Sequence, residues 1–132
     1  MQINTVINIV ILIVIVSFLY SKFKPVAGVK NLNSHEFGNE IKKSIKKVVI
    51  DVREAEEYKR GYIQGAINLP LSQLEQRLNE IPKENTIFLY CQSGMRSKSA
   101  AKILSKRGYL QINQLQGGIS TWQDKLVKRS NA

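Results

Sequence analysis

The sequence contains a single cysteine, Cys91, and a single histidine, His35, among 132 residues. A lone cysteine cannot form a disulfide bond within the chain, and it cannot supply the several thiolates of a cysteine-rich metal site. We therefore expect no metal centre and no bound cofactor. Cys91 itself is then either a small buried apolar residue or a group that takes part in a reaction.

Acidic residues are also scarce, because 10 of them stand against 20 lysines and arginines and leave a net charge of +10. A basic protein can bind nucleic acid, but this sequence shows neither basic residues interleaved with aromatic ones nor the spacing of a zinc finger. An anionic membrane surface attracts lysines near a membrane anchor by about 1 kcal/mol each. We therefore favour a membrane surface, and no nucleic acid, as the partner of the basic side chains.

Charge is absent altogether from residues 3–20, a run of Ile, Val, Leu and Phe with few polar interruptions. An α-helix needs about 20 residues to cross the hydrocarbon of a bilayer, so this run is just long enough. A cleaved secretory signal would carry basic residues ahead of its apolar stretch. Residues 1–8 contain none, although residues 26–28 (VAG) resemble a cleavage site. We expect an uncleaved membrane anchor.

Basic residues follow the apolar run, at Lys22, Lys24 and Lys30. Positively charged flanks stay on the cytoplasmic side of a membrane. We therefore expect a single-pass protein of the cytoplasmic membrane whose C-terminal part faces the cytoplasm. The chain then divides into an anchor at residues 1–21, a linker at 22–28 that contains Pro and Gly, and a folded domain at 29–130.

Short apolar runs alternate with helical patterns after the linker, which is typical of an α/β domain. The strand candidates are residues 47–52, 66–69, 86–90 and 110–115, and residues 29–32 are a candidate for a fifth. The runs at 47–52 and 86–90 are continuously apolar, as strands of a parallel sheet with both faces covered usually are. We expect a central parallel sheet with helices on its faces.

Helix ends are marked by capping residues in three places. Asn33 stands three residues before a glutamate, and so does Ser72, which is the spacing of a capping box at a helix start. A third helix, at residues 97–107, should stop at Gly108 because glycine often ends helices.

Trp122, His35 and Asp51 could take part in catalysis or ligand binding, but their positions favour structural roles. Trp122, with Ile119 and Leu126, falls on the apolar face of an expected last helix and should anchor it in the core. His35 lies near a helix start, where an exposed or capping role is commoner than catalysis. Asp51 ends a strand, where a carboxylate usually accepts backbone hydrogen bonds that fix a loop.

Chemistry is concentrated where a buried strand ends at Cys91 and a short loop leads into the helix at 97–107. Backbone N–H groups at such a helix start converge on one spot and attract anions. A thiolate is an anion, so this position favours the nucleophilic form of Cys91. Arg96 adds a permanent positive charge, and Gly94 permits the tight loop. Cys91 is therefore better explained as a nucleophile than as an inert core residue.

Residues 90–97 (YCQSGMRS) resemble the active-site loop of the rhodanese family. Two other stretches, 51–70 (DVREAEEY to GYIQGAINLP) and 115–122 (LQGGISTW), are similar to that family's first and closing signatures. Together they extend the resemblance to about residues 29–125. It implies a three-layer α/β domain with a central parallel sheet, and a loop cysteine that holds a sulfur atom as a persulfide. Tyr62 is a departure, because many family members have His there.

The resemblance also implies roles for particular residues. Cys91 matches the nucleophile, Arg96 the loop arginine and Arg53 a second arginine near the pocket mouth. The backbone from Gln92 to Arg96 matches the cradle around the persulfide, whose remaining members are Ser93, Gly94 and Met95.

By the same resemblance, the chain would move sulfur from a small thiosulfate- or persulfide-type donor to a thiol, to a cyanide-like acceptor or to a protein acceptor. Related phosphatases and arsenate reductases have a loop one residue longer, with five residues between Cys and Arg, whereas Cys91 and Arg96 are separated by four. Sulfur transfer is therefore favoured over phosphate or arsenate chemistry. A membrane-tethered interaction module without turnover is the other alternative, although such modules usually lack the cysteine.

Overall fold

A computed structural model of the chain describes residues 2–24, 26 and 28–128. Two residues of the expected linker, Pro25 and Ala27, lie outside the described residues. So does the expected domain end at residue 130.

The first helix, α1 (Ile3–Phe23), is one uninterrupted helix. Its segment Ile3–Lys22 is long and apolar enough to cross a membrane, and none of it is buried against the rest of the protein. An apolar helix that is exposed all round is unsuited to water. Helix α1 ends next to the folded domain, where Lys98 Nζ donates a hydrogen bond to the Lys22 carbonyl oxygen at 2.5 Å.

The described part of the folded domain combines three further helices with seven strands. The helices are α2 (Ser34–Lys43), α3 (Ala55–Arg60) and α4 (Met95–Lys106). The strands are β1 (Val29–Leu32), β2 (Lys47–Asp51), β3 (Tyr62–Ile63), β4 (Ala66–Asn68), β5 (Thr86–Tyr90), β6 (Ile112–Leu115) and β7 (Leu126–Val127). Three short 3-10 helices complete the set, at Leu71–Gln73, Glu75–Glu80 and Gly118–Thr121.

Five of these strands form one parallel sheet in the order β1-β6-β5-β2-β4. The four strand candidates and the fifth at residues 29–32 are all present, with ends shifted by up to two residues. Strands β3 and β7 were not predicted, and they form a separate antiparallel pair in which Ile63 lies opposite Leu126. The expected central parallel sheet is confirmed.

Helices cover both faces of the sheet. Along β5, Ile87 and Leu89 pack in one apolar cluster with Ala100 and Leu104 of α4. Phe88 and Tyr90 of the same strand point to the opposite cluster, which contains Phe37 of α2. A strand that is buried on both faces needs an apolar residue at every position, which explains the continuous apolar run. The domain therefore has three layers.

Helix capping follows the prediction at one site and departs from it at another. The Asn33 side chain accepts the Glu36 N–H at 2.9 Å, and Glu36 accepts the Asn33 N–H at 3.3 Å, so this capping box is confirmed. The capping box at Ser72 is wrong, because its hydroxyl donates to Glu54 Oε1 at 3.0 Å instead. The segment forms two short 3-10 helices, and Arg77 within them has a non-helical φ of −116°. Helix α4 starts two residues earlier than expected.

The expected last helix is also wrong. The chain makes only a 3-10 turn at Gly118–Thr121 and is extended at Trp122, and Leu126 lies in β7. Leu126 and Val127 pair with β3 instead, and strand pairing keeps this part of the chain extended. The expected packing of Trp122 is nevertheless confirmed, since its ring meets the Phe37 ring edge-on at 6.1 Å.

Candidate active site

Cys91 follows β5 directly and lies at the carboxyl edge of the parallel sheet, with 1% of its surface exposed. The loop behind it turns back, so that the Gly94 N–H donates a hydrogen bond to Cys91 Sγ at 3.0 Å. Gly94 has a φ of 106°, which L side chains rarely adopt. Helix α4 begins at the next residue, and its N-terminal dipole adds positive potential near the sulfur. The loop and the helix start therefore favour negative charge at Sγ.

The segment around Gly118 supports this loop from the other side. The Ile119 N–H donates to the Cys91 carbonyl oxygen at 2.8 Å, and the Ser120 N–H donates to the Gln92 carbonyl oxygen at 3.2 Å. A Cβ on Gly118 would lie 2.5 to 2.6 Å from these two carbonyl groups. The close approach leaves room for glycine alone, so residues 115–122 hold the backbone of the cysteine loop in place.

Two buried polar residues behind the loop were missed by the sequence analysis, Ser97 and Gln114. Gln114 Nε2 donates to the Gly94 carbonyl oxygen at 2.9 Å and to Ser97 Oγ at 3.0 Å. Ser97 Oγ lies 3.5 Å from Cys91 Sγ and 3.2 Å from the Gly94 carbonyl oxygen. The Ser97 hydroxyl donates to the Gly94 carbonyl oxygen, and its oxygen accepts from Gln114 and from the Cys91 thiol. A glutamine within the buried strand β6 was the available signal, since buried amides need partners.

The guanidinium group of Arg96 binds Glu57 of α3. Arg96 Nη1 lies 2.6 Å from Glu57 Oε1, and Nη2 lies 2.9 Å from Oε2, so the pair is bidentate. The hydrogen bonds from Arg96 lower the pKa of Glu57 to about 2. Glu57 also accepts the Glu54 N–H at 3.3 Å as part of the capping box of α3. The sequence does not predict the contact of Glu57 with Arg96, because nothing local to α3 indicates a partner in α4.

Arg53 is buried and is bound to its neighbour Asp51. Its guanidinium group and its backbone N–H all reach the Asp51 carboxylate, at 2.6 to 3.0 Å. Arg53 Nη2 also donates to the Gly61 carbonyl oxygen at 2.6 Å. Asp51 therefore fixes a loop, as expected, and it holds Arg53 as well.

Tyr90 joins the same buried group. Its ring lies under the Arg53 guanidinium at 5.9 Å, and its hydroxyl oxygen accepts the Ile63 N–H at 3.0 Å. Burial, reinforced by the Asp51 carboxylate, raises the pKa of Tyr90. The phenol consequently stays protonated and links β5 to β3. Within β3, the ring of Tyr62 stacks on that of Tyr58 with the ring centroids 4.2 Å apart, so this departure from the family pattern is accommodated by packing.

A pocket of about 310 Å³ opens beside the cysteine loop. Its lining residues include Arg53, Glu57, Arg60, Gln92 and Ile119. Of the residues predicted from the sequence, Arg53 and Gln92 thus reach the pocket. Ser93 and Met95 are exposed on the outside of the loop, where only their backbone belongs to the turn around Cys91.

Comparisons with known proteins agree with this geometry. Residues 34–125 match the family model described as a rhodanese-like domain. YqhL of Bacillus subtilis (strain 168), a protein described as uncharacterized, is 40% identical over 116 residues, which are 88% of this chain and 86% of that protein. A protein of Allochromatium vinosum named sulfurtransferase is 37% identical over 75 residues, 57% of this chain and 70% of its own length.

A solved structure extends the comparison to the fold. The crystal structure of a rhodanese-like domain protein from Staphylococcus aureus superposes with a TM-score of 0.69 at 29% identity. The superposition covers 76% of this chain and 99% of the other. Cys91, Arg96 and Glu57 all lie within the range that the family model matches.

Proposed function

This chain belongs to the rhodanese-like domain family, and from that membership we propose that it is a sulfurtransferase in which Cys91 carries one sulfur atom as a persulfide. The observation that carries the proposal is the hydrogen bond of 3.0 Å from the Gly94 N–H to Cys91 Sγ, at the start of a helix of 12 residues. Relatives that are named sulfurtransferases support the same reaction class.

Loading of the carrier is a nucleophilic substitution at sulfur. The Cys91 thiolate attacks the outer sulfur of the donor, a new S–S bond forms, and the bond from that sulfur to the rest of the donor breaks. The leaving group keeps the electron pair, so that thiosulfate releases sulfite and a thiol persulfide releases the thiol, which takes the proton of the outer sulfur. The enzyme is left as an anionic Cys91 persulfide.

Unloading repeats this chemistry in the other direction. A thiolate or cyanide attacks the outer sulfur of the persulfide, and Cys91 leaves as a thiolate ready for the next cycle. The negative charge moves between two neighbouring sulfur atoms in both steps. The Gly94 N–H, the start of α4 and the backbone from Gln92 to Arg96 would stabilise that charge without rearranging. A single added sulfur atom suits the short loop better than a tetrahedral phosphate does.

We further propose that α1 anchors the domain at the cytoplasmic membrane. Lys22 lies in the last turn of this helix and Lys24 directly follows it, and both favour an orientation with the domain in the cytoplasm. Protease added to intact spheroplasts should leave the domain whole and digest it only after lysis. Digestion in intact spheroplasts would contradict the orientation, and full release of the protein by carbonate washing would contradict the anchor.

The sulfur-carrier proposal is tested by mass. The full chain in a nonionic detergent is incubated with thiosulfate, or with the hydropersulfide of a neutral thiol, and its intact mass is recorded before and after cyanide. We expect a gain of one sulfur atom that cyanide removes, and no gain in Cys91→Ser. If neither donor adds sulfur to the folded protein, the sulfurtransferase proposal is overturned in favour of an interaction module.

A further inference from the structure

Glu57 occupies a position that decides how much positive charge a donor would meet. It lines the pocket beside the cysteine loop, and its carboxylate accepts hydrogen bonds from both terminal nitrogens of Arg96 at 2.6 and 2.9 Å. Arg53, on the same pocket wall, has its charge matched by the buried Asp51 at 2.6 Å. Two of the three arginines in this region are therefore paired with carboxylates, and Arg60 remains at the exposed rim.

This arrangement disfavours a dianionic donor. Thiosulfate would bring two negative charges towards the anionic thiolate of Cys91 while the Glu57 carboxylate stands in the pocket wall. To bind Arg96, the sulfonate group of thiosulfate would have to displace Glu57 from its bidentate ion pair. Such a pair is among the stronger hydrogen-bonded arrangements. Repulsion between like charges is felt even at a partly exposed site.

A thiol persulfide avoids both difficulties. Its outer sulfur is bonded to a second sulfur and carries no sulfonate, so attack by Cys91 does not require a free arginine. The leaving group is a thiol, which accepts the proton of the outer sulfur. Attack on the outer sulfur of such a donor leaves the contact between Glu57 and Arg96 intact.

On the premise that Cys91 is a sulfur carrier, we propose that Glu57 sets donor specificity by holding Arg96, and that the site selects thiol persulfides over thiosulfate. Glu57 is in this sense a positioning residue that acts through Arg96 and through its own charge. The proposal concerns the ratio of two rates, which a purely structural role for Glu57 would not change.

The chain offers a conservative variant and a matched control. Glu57→Gln removes the charge and keeps a side chain that can still accept the Glu54 N–H, because glutamine serves at this position of a capping box. Glu56→Gln makes the same change one residue away, where the carboxylate is exposed and contacts Lys59 at 3.4 Å. Thermal melting of both variants would show that they are folded.

The experiment measures the rate of sulfur addition to Cys91, by intact mass, in the full chain in nonionic detergent. The donors are thiosulfate and the hydropersulfide of a neutral thiol, each at several concentrations. We expect Glu57→Gln to raise the second-order rate constant for thiosulfate roughly tenfold, the size expected for one unit charge at a partly exposed site. The ratio of the constant for thiosulfate to that for the hydropersulfide should therefore rise, and Glu56→Gln should alter neither constant.

The possible failures are distinguishable. If the natural chain is loaded by the hydropersulfide but Glu57→Gln accepts thiosulfate no faster, or more slowly, donor selection by Glu57 is overturned while the carrier role stands. An equal gain for both donors would also overturn it, because Glu57 would then limit reactivity in general. If neither donor loads the natural chain, both proposals fall.

Discussion

Gly118 lies against the cysteine loop so closely that a Cβ placed on it would be 2.6 Å from the Cys91 carbonyl oxygen. The contact joins the closing signature of the chain to the reactive one, with the Ile119 N–H bound to the same oxygen at 2.8 Å. The position of Cys91 is thus set as much by residues that follow it by more than 20 positions as by its own strand.

Replacing Gly118 should therefore slow the loading of sulfur onto Cys91. Gly118→Ala must push the backbone of Cys91 and Gln92 away, so we expect sulfur loading from a hydropersulfide to fall at least about tenfold. Gly65→Ala is the control, since Gly65 also has positive φ but has nothing within 4 Å of the added Cβ. It should lose about 1–2 kcal/mol of stability from backbone strain and retain its loading rate. Equal loading rates in both variants would contradict the proposal that Gly118 holds the cysteine loop in position.

The Ser97 hydroxyl should support the reactive form of Cys91, because it can turn from the Gly94 carbonyl oxygen, which Gln114 also supplies with a donor, and donate to the thiolate. Ser97→Ala removes the group that lies 3.5 Å from Sγ, and we expect alkylation of Cys91 by iodoacetamide at neutral pH to slow severalfold. Ser99→Ala is matched to it on the same helix, where the Ser99 hydroxyl contacts the Met95 carbonyl oxygen and is exposed. That variant should react like the natural protein. Equal rates for Ser97→Ala and the natural chain would assign Ser97 a purely structural role.

The ion pair between Glu57 and Arg96 should give stability a dependence on pH. Because the pKa of Glu57 is lowered from 4.5 to about 2, its contribution is complete above pH 4.5 and is lost as the pH falls through about 2. The difference in urea midpoint between the natural chain and Glu57→Gln should follow this course. It should also shrink with added salt, since both side chains are partly exposed. A difference that grows towards acid pH would have the wrong sign.

Arg53 should prove to be a structural residue. Its charge and that of Asp51 are both buried, so Arg53→Met leaves a buried carboxylate without its positive partner and should cost about 3–5 kcal/mol of unfolding free energy. The double variant Asp51→Asn/Arg53→Met removes both charges and should recover much of that loss. Urea unfolding of the two variants provides the comparison. A double variant as unstable as the single one would mean that packing, and not the unpaired charge, is what matters.

The sequence predicts the sheet well for a physical reason. The middles of strands β2 and β5 are covered on both faces, so that residues 48–50 and 87–90 are apolar runs that stand out from their surroundings. Strands β3 and β7 are two residues long each and pair with one another across the chain, and no local pattern marks them. The last helix is predicted from the apolar spacing of Ile119, Trp122 and Leu126, but the pairing of Leu126 with Ile63 depends on the fold and keeps this segment extended.

In the candidate site, too, contacts between residues close in the sequence could be predicted, whereas contacts between distant residues could not. Cys91, Gly94 and Arg96 are neighbours in the sequence, so a single stretch of loop and helix indicates their association. Glu57 lies 39 positions from Arg96, and Gln114 lies 17 positions from Ser97, and only the parallel sheet brings each pair together. The charge of Arg96 could be predicted, but its neutralisation by Glu57 depends on the fold.

The burial of Cys91 also affects how long a bound sulfur atom would stay on the protein. With 1% of the residue exposed, a sulfur atom stored there would meet few of the dissolved thiols that collide with the protein surface. How long the atom stays would then depend on how often an acceptor enters the pocket in the orientation for attack. The domain would behave as a shielded store whose contents are released to the acceptor that fits.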